Sequence, residues 1–293
     1  MLLRLLAPLT VAAFTLFATA AMGAGEPQFR MPVRIVDVRG ATSLVSRGAA
    51  VLDARDAASF AQGHIPGAQL YAWQSFTGDG AARGRVHDDL EEVARMLAKL
   101  GVDTGRPALV YGAMAKGWGE EGHAAWLLLL LGHPDVAVLD GGFPAWRAAG
   151  RPVVNATARP RPGAFEARAR RELIASADDV RRAKQVLDVR SKAEFHGATP
   201  NGEARGGHVA GAQHLDWRVL LDEGGRVVSS ARLARTLSDL GVDPAGEIIT
   251  CCSGGVRSAF VATALLSRGV TRVRNYDGSM AEWSDDPSRP MAR

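Results

Sequence analysis

Val51-Leu52-Asp53-Ala54-Arg55 reads as a short apolar strand ending on a carboxylate, and the chain repeats it as Val186-Leu187-Asp188-Val189-Arg190. The neighbours of this stretch recur with it. Gly63-His64-Ile65-Pro66-Gly67-Ala68-Gln69 returns as Gly207-His208-Val209-Ala210-Gly211-Ala212-Gln213, and Gly84-Arg85-Val86 returns as Gly225-Arg226-Val227. Leu100-Gly101-Val102-Asp103 matches Leu240-Gly241-Val242-Asp243, and Asp140-Gly141-Gly142 with Trp146 matches Asp277-Gly278-Ser279 with Trp283. Landmarks recurring in one order, at an offset near 140 residues, mark a duplicated unit.

Working outward, Val33 to Val38, Ala49 to Asp53, Ala108 to Tyr111 and Val136 to Leu139 are predicted strands. His87 to Leu100 carries apolar residues at helical spacing (Leu90, Val93, Leu97, Leu100) and stops at Gly101. Ala124 to Leu131 is an apolar run too short to span a bilayer, and predicts a buried helix. Strands alternating with helices imply an α/β fold: two tandem domains, each a mainly parallel sheet with helices on both faces. Arg151 to Gly163, rich in Pro, Arg and Ala without a period, reads as a linker. The expected organisation is a targeting segment at 1–24, a domain at 30–150, a linker at 151–170 and a second domain at 171–293.

The 293 residues are 47% hydrophobic and 23% charged, with a net charge of +4, the composition of a globular protein. The charges are scattered, which argues against a nucleic-acid surface and leaves a weak attraction for small anions. Met1 to Arg4, the apolar run Leu5 to Phe17 and the small residues Ala18-Thr19-Ala20 read as a cleaved secretory signal. Export to the periplasm without stable membrane insertion is therefore expected. The chain has two cysteines, Cys251 and Cys252, which are adjacent. A bond between neighbours closes a strained ring, so the pair reads as chemistry rather than as a structural disulfide.

Glu247 to Thr250 is a predicted strand, Cys251 to Val256 a tight loop, and Arg257 to Ser267 a helix closed by Gly269. Sites in open α/β sheets form at such strand-to-helix loops. A cysteine there meets backbone N–H groups and the positive end of a helix dipole, both of which stabilise a thiolate. Gly254 and Gly255 let the backbone curl around an anion.

Cys252-Ser253-Gly254-Gly255-Val256-Arg257-Ser258-Ala259 resembles the active-site loop of rhodanese sulfurtransferases. The Leu-Asp-x-Arg and Gly-His-(Ile/Val)-x-Gly-Ala segments resemble two further signatures of that family. Asp277-Gly278-Ser279-Met280-Ala281-Glu282-Trp283 is similar to the closing segment of tandem rhodaneses, so the resemblance spans about the whole mature chain. It implies that Cys252 attacks the outer sulfur of thiosulfate, releases sulfite, and passes the sulfur to cyanide or a thiol, without a cofactor or metal. It also implies that the amides of Ser253, Gly254, Gly255, Val256 and Arg257 hold the anionic sulfur, with Arg257 neutralising a sulfonate or stabilising the loop.

Counted from Cys251, the same loop is Cys-x5-Arg-Ser, the pattern of cysteine phosphatases and some arsenate reductases; there Arg257 would clamp a phosphate. The repeat favours Cys252, because the offset of 140 lays Tyr111 over Cys251 and Gly112 over Cys252. Rhodaneses commonly carry a tyrosine or similar residue just before the nucleophile. Gly112 carries no nucleophile, so the first unit is expected to be catalytically silent. A third alternative is a persulfide carrier that loads one sulfur and relays it only to a partner. From Gly112 to Asp140 there are 28 positions, against 25 from Cys252 to Asp277, and the extra length holds Trp118, Glu120 and Glu121, expected to shape the cleft between domains.

Asp188 and Arg190 have counterparts in Asp53 and Arg55, and His208 has one in His64, so these read as structural, with the histidines fixing turns. Arg190 and Arg205 are retained as substrate-contact candidates. Trp73, Trp146, Trp217 and Trp283 are expected to pack. Relatives that use mercaptopyruvate tend to have arginine where this chain has Glu194, and a carboxylate there would repel a pyruvate carboxylate; thiosulfate is the expected donor.

Overall fold

The computed structural model describes residues 33–156 and 158–293; the signal segment expected at 1–24 lies outside them. The first half runs β1 (Val33–Val36), α1 (Val38–Ser46), β2 (Ala50–Asp53), α2 (Ala57–Gln62), β3 (Gln69–Leu70), α3 (Leu90–Lys99), β4 (Ala108–Tyr111), α4 (Glu120–Leu130), β5 (Val136–Leu139) and α5 (Gly142–Ala148). The second half runs α6 (Ala177–Arg182), β6 (Val186–Asp188), α7 (Lys192–Phe195), β7 (His208–Val209), β8 (Gln213–His214), α8 (Ser230–Asp239), β9 (Ile248–Cys251), α9 (Val256–Ser267), β10 (Val273–Asn275), α10 (Ser279–Asp285) and β11 (Met291–Ala292).

Each half holds a parallel sheet, β1-β5-β4-β2-β3 in the first and β10-β9-β6-β8 in the second. The place of β1 is taken in the second half by a single parallel bridge from Ile174 to Asn275. Strand periodicity assigns the sheet faces. Leu52, Val110 and Val138 point into a core with α3 and α4, while Val51, Leu109 and Tyr111 point to α1, α2 and α5. The second sheet divides likewise, with Leu187 and Ile248 toward α8 and α9, and Val186, Ile249 and Cys251 toward α6 and α10.

The core containing α4 and α9 is continuous across both halves. These helices are buried nearly all round because each is wedged between its own sheet and the other half. Thr263 Oγ1 donates to Gly122 O at 3.0 Å across that contact. The segment between the halves follows the surface of the first half: Val154 pairs with His64, and Arg168 N and Arg170 N donate to Leu131 O and Leu130 O. Among the described residues no helix is long and apolar enough to cross a membrane.

The recurring motifs perform the same work twice. Arg55 pairs with Asp53 and donates to Gly63 O at 2.7 Å; Arg190 pairs with Asp188 and donates to Gly207 O at 2.7 Å. His64 Nδ1 lies 2.9 Å from Phe60 O, and His208 Nδ1 lies 2.9 Å from Phe195 O. The Gly-Arg-Val and Asp-Gly motifs reach across the junction reciprocally. Val86 N donates to Asp277 Oδ2 at 2.9 Å, and Val227 N donates to Asp140 Oδ1 at 2.8 Å.

Candidate active site at the junction of the two halves

Adjacent residues at a strand end face opposite ways, so Cys251 and Cys252 enter different cores. Cys251 is the last residue of β9, fully buried, and burial followed by the nearby Asp188 pushes its thiol well above the ordinary range. Cys252 begins the loop to α9 and lies in a cavity of about 220 Å³ together with Ser253, Gly254, Val256, Arg257, Asn201, Trp73, Arg83 and Trp118. The last three of these, Trp73, Arg83 and Trp118, come from the first half.

The loop is shaped by where its carbonyls go. Met280 N donates to Cys252 O at 3.0 Å and Ala281 N to Ser253 O at 2.9 Å, so the first turn of α10 draws these oxygens outward. Asn275 Nδ2 and Ser258 Oγ both reach Gly255 O, at 3.2 and 3.1 Å. Gly255, at φ 77°, makes the left-handed turn into α9, and an added Cβ would lie 2.7 Å from Asp277 O. The amides of Ser253, Gly254, Val256 and Arg257 are left without a protein acceptor among the described residues. The Gly255 amide differs from that expectation: with the Cys252 amide it donates to Ser279 Oγ, at 3.2 and 3.0 Å. Ser279 sits at φ 49°, strained for a residue with a Cβ, where the first half has Gly142. Around Sγ of Cys252, Ser258 Oγ lies at 3.4 Å and Ser279 Oγ at 3.9 Å.

Arg257 is held on the cavity wall by a bidentate pair with Glu194, at 2.8 and 2.7 Å. Ser253 Oγ accepts from Arg257 Nη2 at 2.8 Å and from Asn201 Nδ2 at 3.0 Å, and lies 3.2 Å from Glu194 Oε1. Burial opposes ionisation of Glu194, but the hydrogen bonds and charge of Arg257, joined by Ser191, outweigh it and hold the carboxyl at about 2. This corrects the expectation that Glu194 confronts a donor as a free negative charge: its charge is spent on Arg257. The free cation at the cavity is Arg83, half-buried and without a carboxylate partner among the described residues, while its neighbour Arg85 pairs with Asp88.

Two substrate-contact candidates lie elsewhere. Arg190 is buried against Asp188 and Gly207 O, and Arg205 donates to the carbonyls of Trp283, Ser284, Asp286 and Arg289, clamping the end of α10. Both guanidiniums are consumed by chain closure, so neither lines the cavity. Trp146, Trp217 and Trp283 are buried, whereas Trp73 is a cavity wall rather than packing alone. Arg83, Asn201, Ser258 and Ser279 escaped the sequence reading. The departure of Asp-Gly-Ser from Asp-Gly-Gly between the copies was the available signal for Ser279.

At the matching place in the first half, the buried carboxylate of Glu121 lies directly over Gly112, where a Cβ would strike it. Both its oxygens are buried without a hydrogen-bond partner, and burial, then Glu120, raises its carboxyl to about 8. The longer loop thus closes the first-half position and sets Trp118 at the mouth of the second-half cavity, 5.4 Å from the Arg257 guanidinium.

A profile of the rhodanese-like domain matches residues 41–149 and 170–286. The chain is 32% identical over 288 residues to a putative thiosulfate sulfurtransferase, SseB, of Mycobacterium tuberculosis, covering 94% of this chain and 96% of that protein. It is 32% identical over 255 residues to a thiosulfate sulfurtransferase of Pseudomonas aeruginosa (82% and 90%), and 32% identical over 250 residues to the sulfur carrier protein TtuD of Thermus thermophilus (79% and 86%). Among solved structures it matches SseA of Escherichia coli, described as a 3-mercaptopyruvate sulfotransferase with the rhodanese fold, at a TM-score of 0.75 and 25% identity over 84% of this chain and 98% of that one. Two matched domains, two parallel sheets and full-length relatives agree: the chain belongs to the tandem-domain rhodanese family.

Proposed function

We propose that the protein is a thiosulfate sulfurtransferase whose Cys252 carries the sulfur as a persulfide. One observation supports it above the others: Cys252 lines the cavity at the start of a loop whose carbonyls are drawn away and whose free amides remain to receive an anion. The Cys252 thiolate attacks the outer sulfur of thiosulfate, the S–S bond breaks, and sulfite leaves with the electron pair. The terminal sulfur then meets the amides of Ser253, Gly254, Val256 and Arg257, as an oxyanion meets its donors. The Ser258 hydroxyl, within reach of both Gly255 O and Sγ, turns its hydrogen to the anion. Cyanide or a thiol takes the outer sulfur and returns Cys252 as thiolate. The first half, with Gly112 under Glu121, supplies walls and no nucleophile.

The Cys251 phosphatase reading is opposed by burial of that thiol on the far face of the sheet. A carrier role draws support from the relative named a sulfur carrier protein. Treatment with thiosulfate, followed by intact mass and by thiocyanate release with cyanide, separates these readings. We expect a gain of about 32 Da that survives Cys251→Ser and disappears in Cys252→Ser, with steady turnover. Loading without turnover would make the protein a carrier; absence of loading would refute both. Residues 1–24 are proposed as a cleaved export signal to the periplasm, to be tested by N-terminal sequencing of the protein recovered from that compartment.

A further inference from the structure

We infer that the sulfur acceptor of this cavity is an organic thiolate with a flat apolar body and a separate anionic group, selected by residues of the first half. The inference rests on the persulfide reading above and names the second substrate of that site. Three observations carry it.

The cavity is oversized for thiosulfate or cyanide. Its volume of about 220 Å³ equals that of roughly seven liquid waters at about 30 Å³ each, and a small sulfur anion at the Cys252 loop leaves most of it empty. The vacant part is walled by indoles. Trp73 is partly buried, and its ring meets the buried His123 edge-on, with centroids 6.1 Å apart. Trp118 is 53% exposed, yet it is a built wall rather than a loose surface ring. Its amide donates to Glu120 Oε2 at 2.7 Å, and its ring lies near the guanidiniums of Arg257 and Arg218, at 5.4 and 5.9 Å. Two indoles facing one space offer a flat ring stacking or edge contacts that an aliphatic thiol does not make.

Charge supplies the second half of the selection. A quaternary ammonium would suit an indole pair, but here the cavity also holds two guanidiniums. Arg257 is neutralised by Glu194, whereas Arg83 carries no carboxylate partner among the described residues. Arg83 is therefore the lining charge left without a partner, and a carboxylate or sulfonate is drawn to it where a cationic acceptor is not. Arg83 is placed there by the Gly84 contact, where the two backbones approach so closely that a Cβ on Gly84 would lie 2.1 Å from Gly254 O.

The transfer balances without a further reagent. The acceptor thiolate attacks the outer sulfur of the Cys252 persulfide, a new S–S bond forms, the Sγ–S bond breaks, and its electron pair leaves on Cys252. The acceptor departs as its own persulfide.

The test loads the full protein with thiosulfate, removes excess donor, and follows single-turnover discharge by intact mass. The acceptors are 4-mercaptobenzoate, thiophenol, 2-mercaptoethanesulfonate and cysteamine, with rates expressed per thiolate. Intrinsic reactivity cancels when rate ratios are compared between wild type and variants. We expect Trp118→Ala to lower the ratio of 4-mercaptobenzoate to 2-mercaptoethanesulfonate about tenfold. Arg83→Met should lower the ratio of 4-mercaptobenzoate to thiophenol, and that of 2-mercaptoethanesulfonate to cysteamine, by a similar factor. Ratios that stay constant in either variant overturn the inference while leaving the persulfide reading intact. Failure of thiosulfate to load Cys252 overturns both.

Discussion

Removing the Glu194 carboxylate orphans the Arg257 guanidinium, and the structure sets the size of the effect. The carboxylate accepts two hydrogen bonds from Arg257 and one each from Ser191 N, Ser191 Oγ and Asn201 Nδ2, with only 6% of its side chain exposed. Its folded pKa of about 2, against about 4.3 in an unfolded chain, corresponds to about 3 kcal/mol at neutral pH. That agrees with the roughly 3–5 kcal/mol lost when one partner of a buried ion pair is deleted. At about 2–4 °C per kcal/mol for a chain of this size, Glu194→Ala should lower Tm by about 6–12 °C at pH 7. Because the folded pKa is depressed, this stability is present above about pH 4.3 and is lost as pH falls toward 2. Denaturant unfolding between those values should therefore show a steeper loss of stability in wild type than in Glu194→Gln, which keeps the contribution of other depressed carboxylates such as Asp179. The double variant Glu194→Ala/Arg257→Met removes the orphaned cation as well, and should be more stable than the sum of the single losses requires, by about 2 kcal/mol. Additivity within about 0.5 kcal/mol would refute the reasoning, since it would mean that the two groups do not interact.

Glu121 behaves in the opposite sense. Its folded pKa of about 8 lies above the unfolded value, so its contribution is fully present below about pH 4.3 and is lost as pH rises through 8. Glu121→Gln should stabilise the protein at pH 8 by up to about 5 kcal/mol, with a benefit that shrinks toward pH 5 in thermal scans; a gain independent of pH would contradict an unpartnered carboxylate over Gly112. Gly84→Val should slow thiosulfate loading of Cys252 although it lies in the other half, because its Cβ meets Gly254 O of the active loop. Loading at the wild-type rate, measured by intact mass, would show that the first half does not shape the loop.

The sequence by itself determined the duplicated α/β plan, because strand and helix patterns are local: each residue's burial follows from a period of two or 3.6. Val51, Leu52 and Asp53 mark a strand wherever the strand is placed, and the same period sends Cys251 and Cys252 to opposite faces of β9. The loop from Cys252 to Arg257 was legible because it joins one strand to the next helix. What required the tertiary structure was every contact between distant segments. Glu194 and Arg257 are 63 positions apart, and nothing in either neighbourhood signals the pair, so Glu194 read as a free charge. Arg205 read as a candidate because its four acceptors belong to a turn about 80 residues downstream. Trp73, Arg83 and Trp118 join the cavity through docking of one half on the other, and docking leaves no period in the chain. Both Gly-Arg-Val and both Asp-Gly motifs stood in plain view, yet only the folded protein shows that each aspartate receives the amide of the opposite half, at Val86 and Val227. Repetition reveals that a motif is kept; the side of the junction on which it acts is a property of three dimensions.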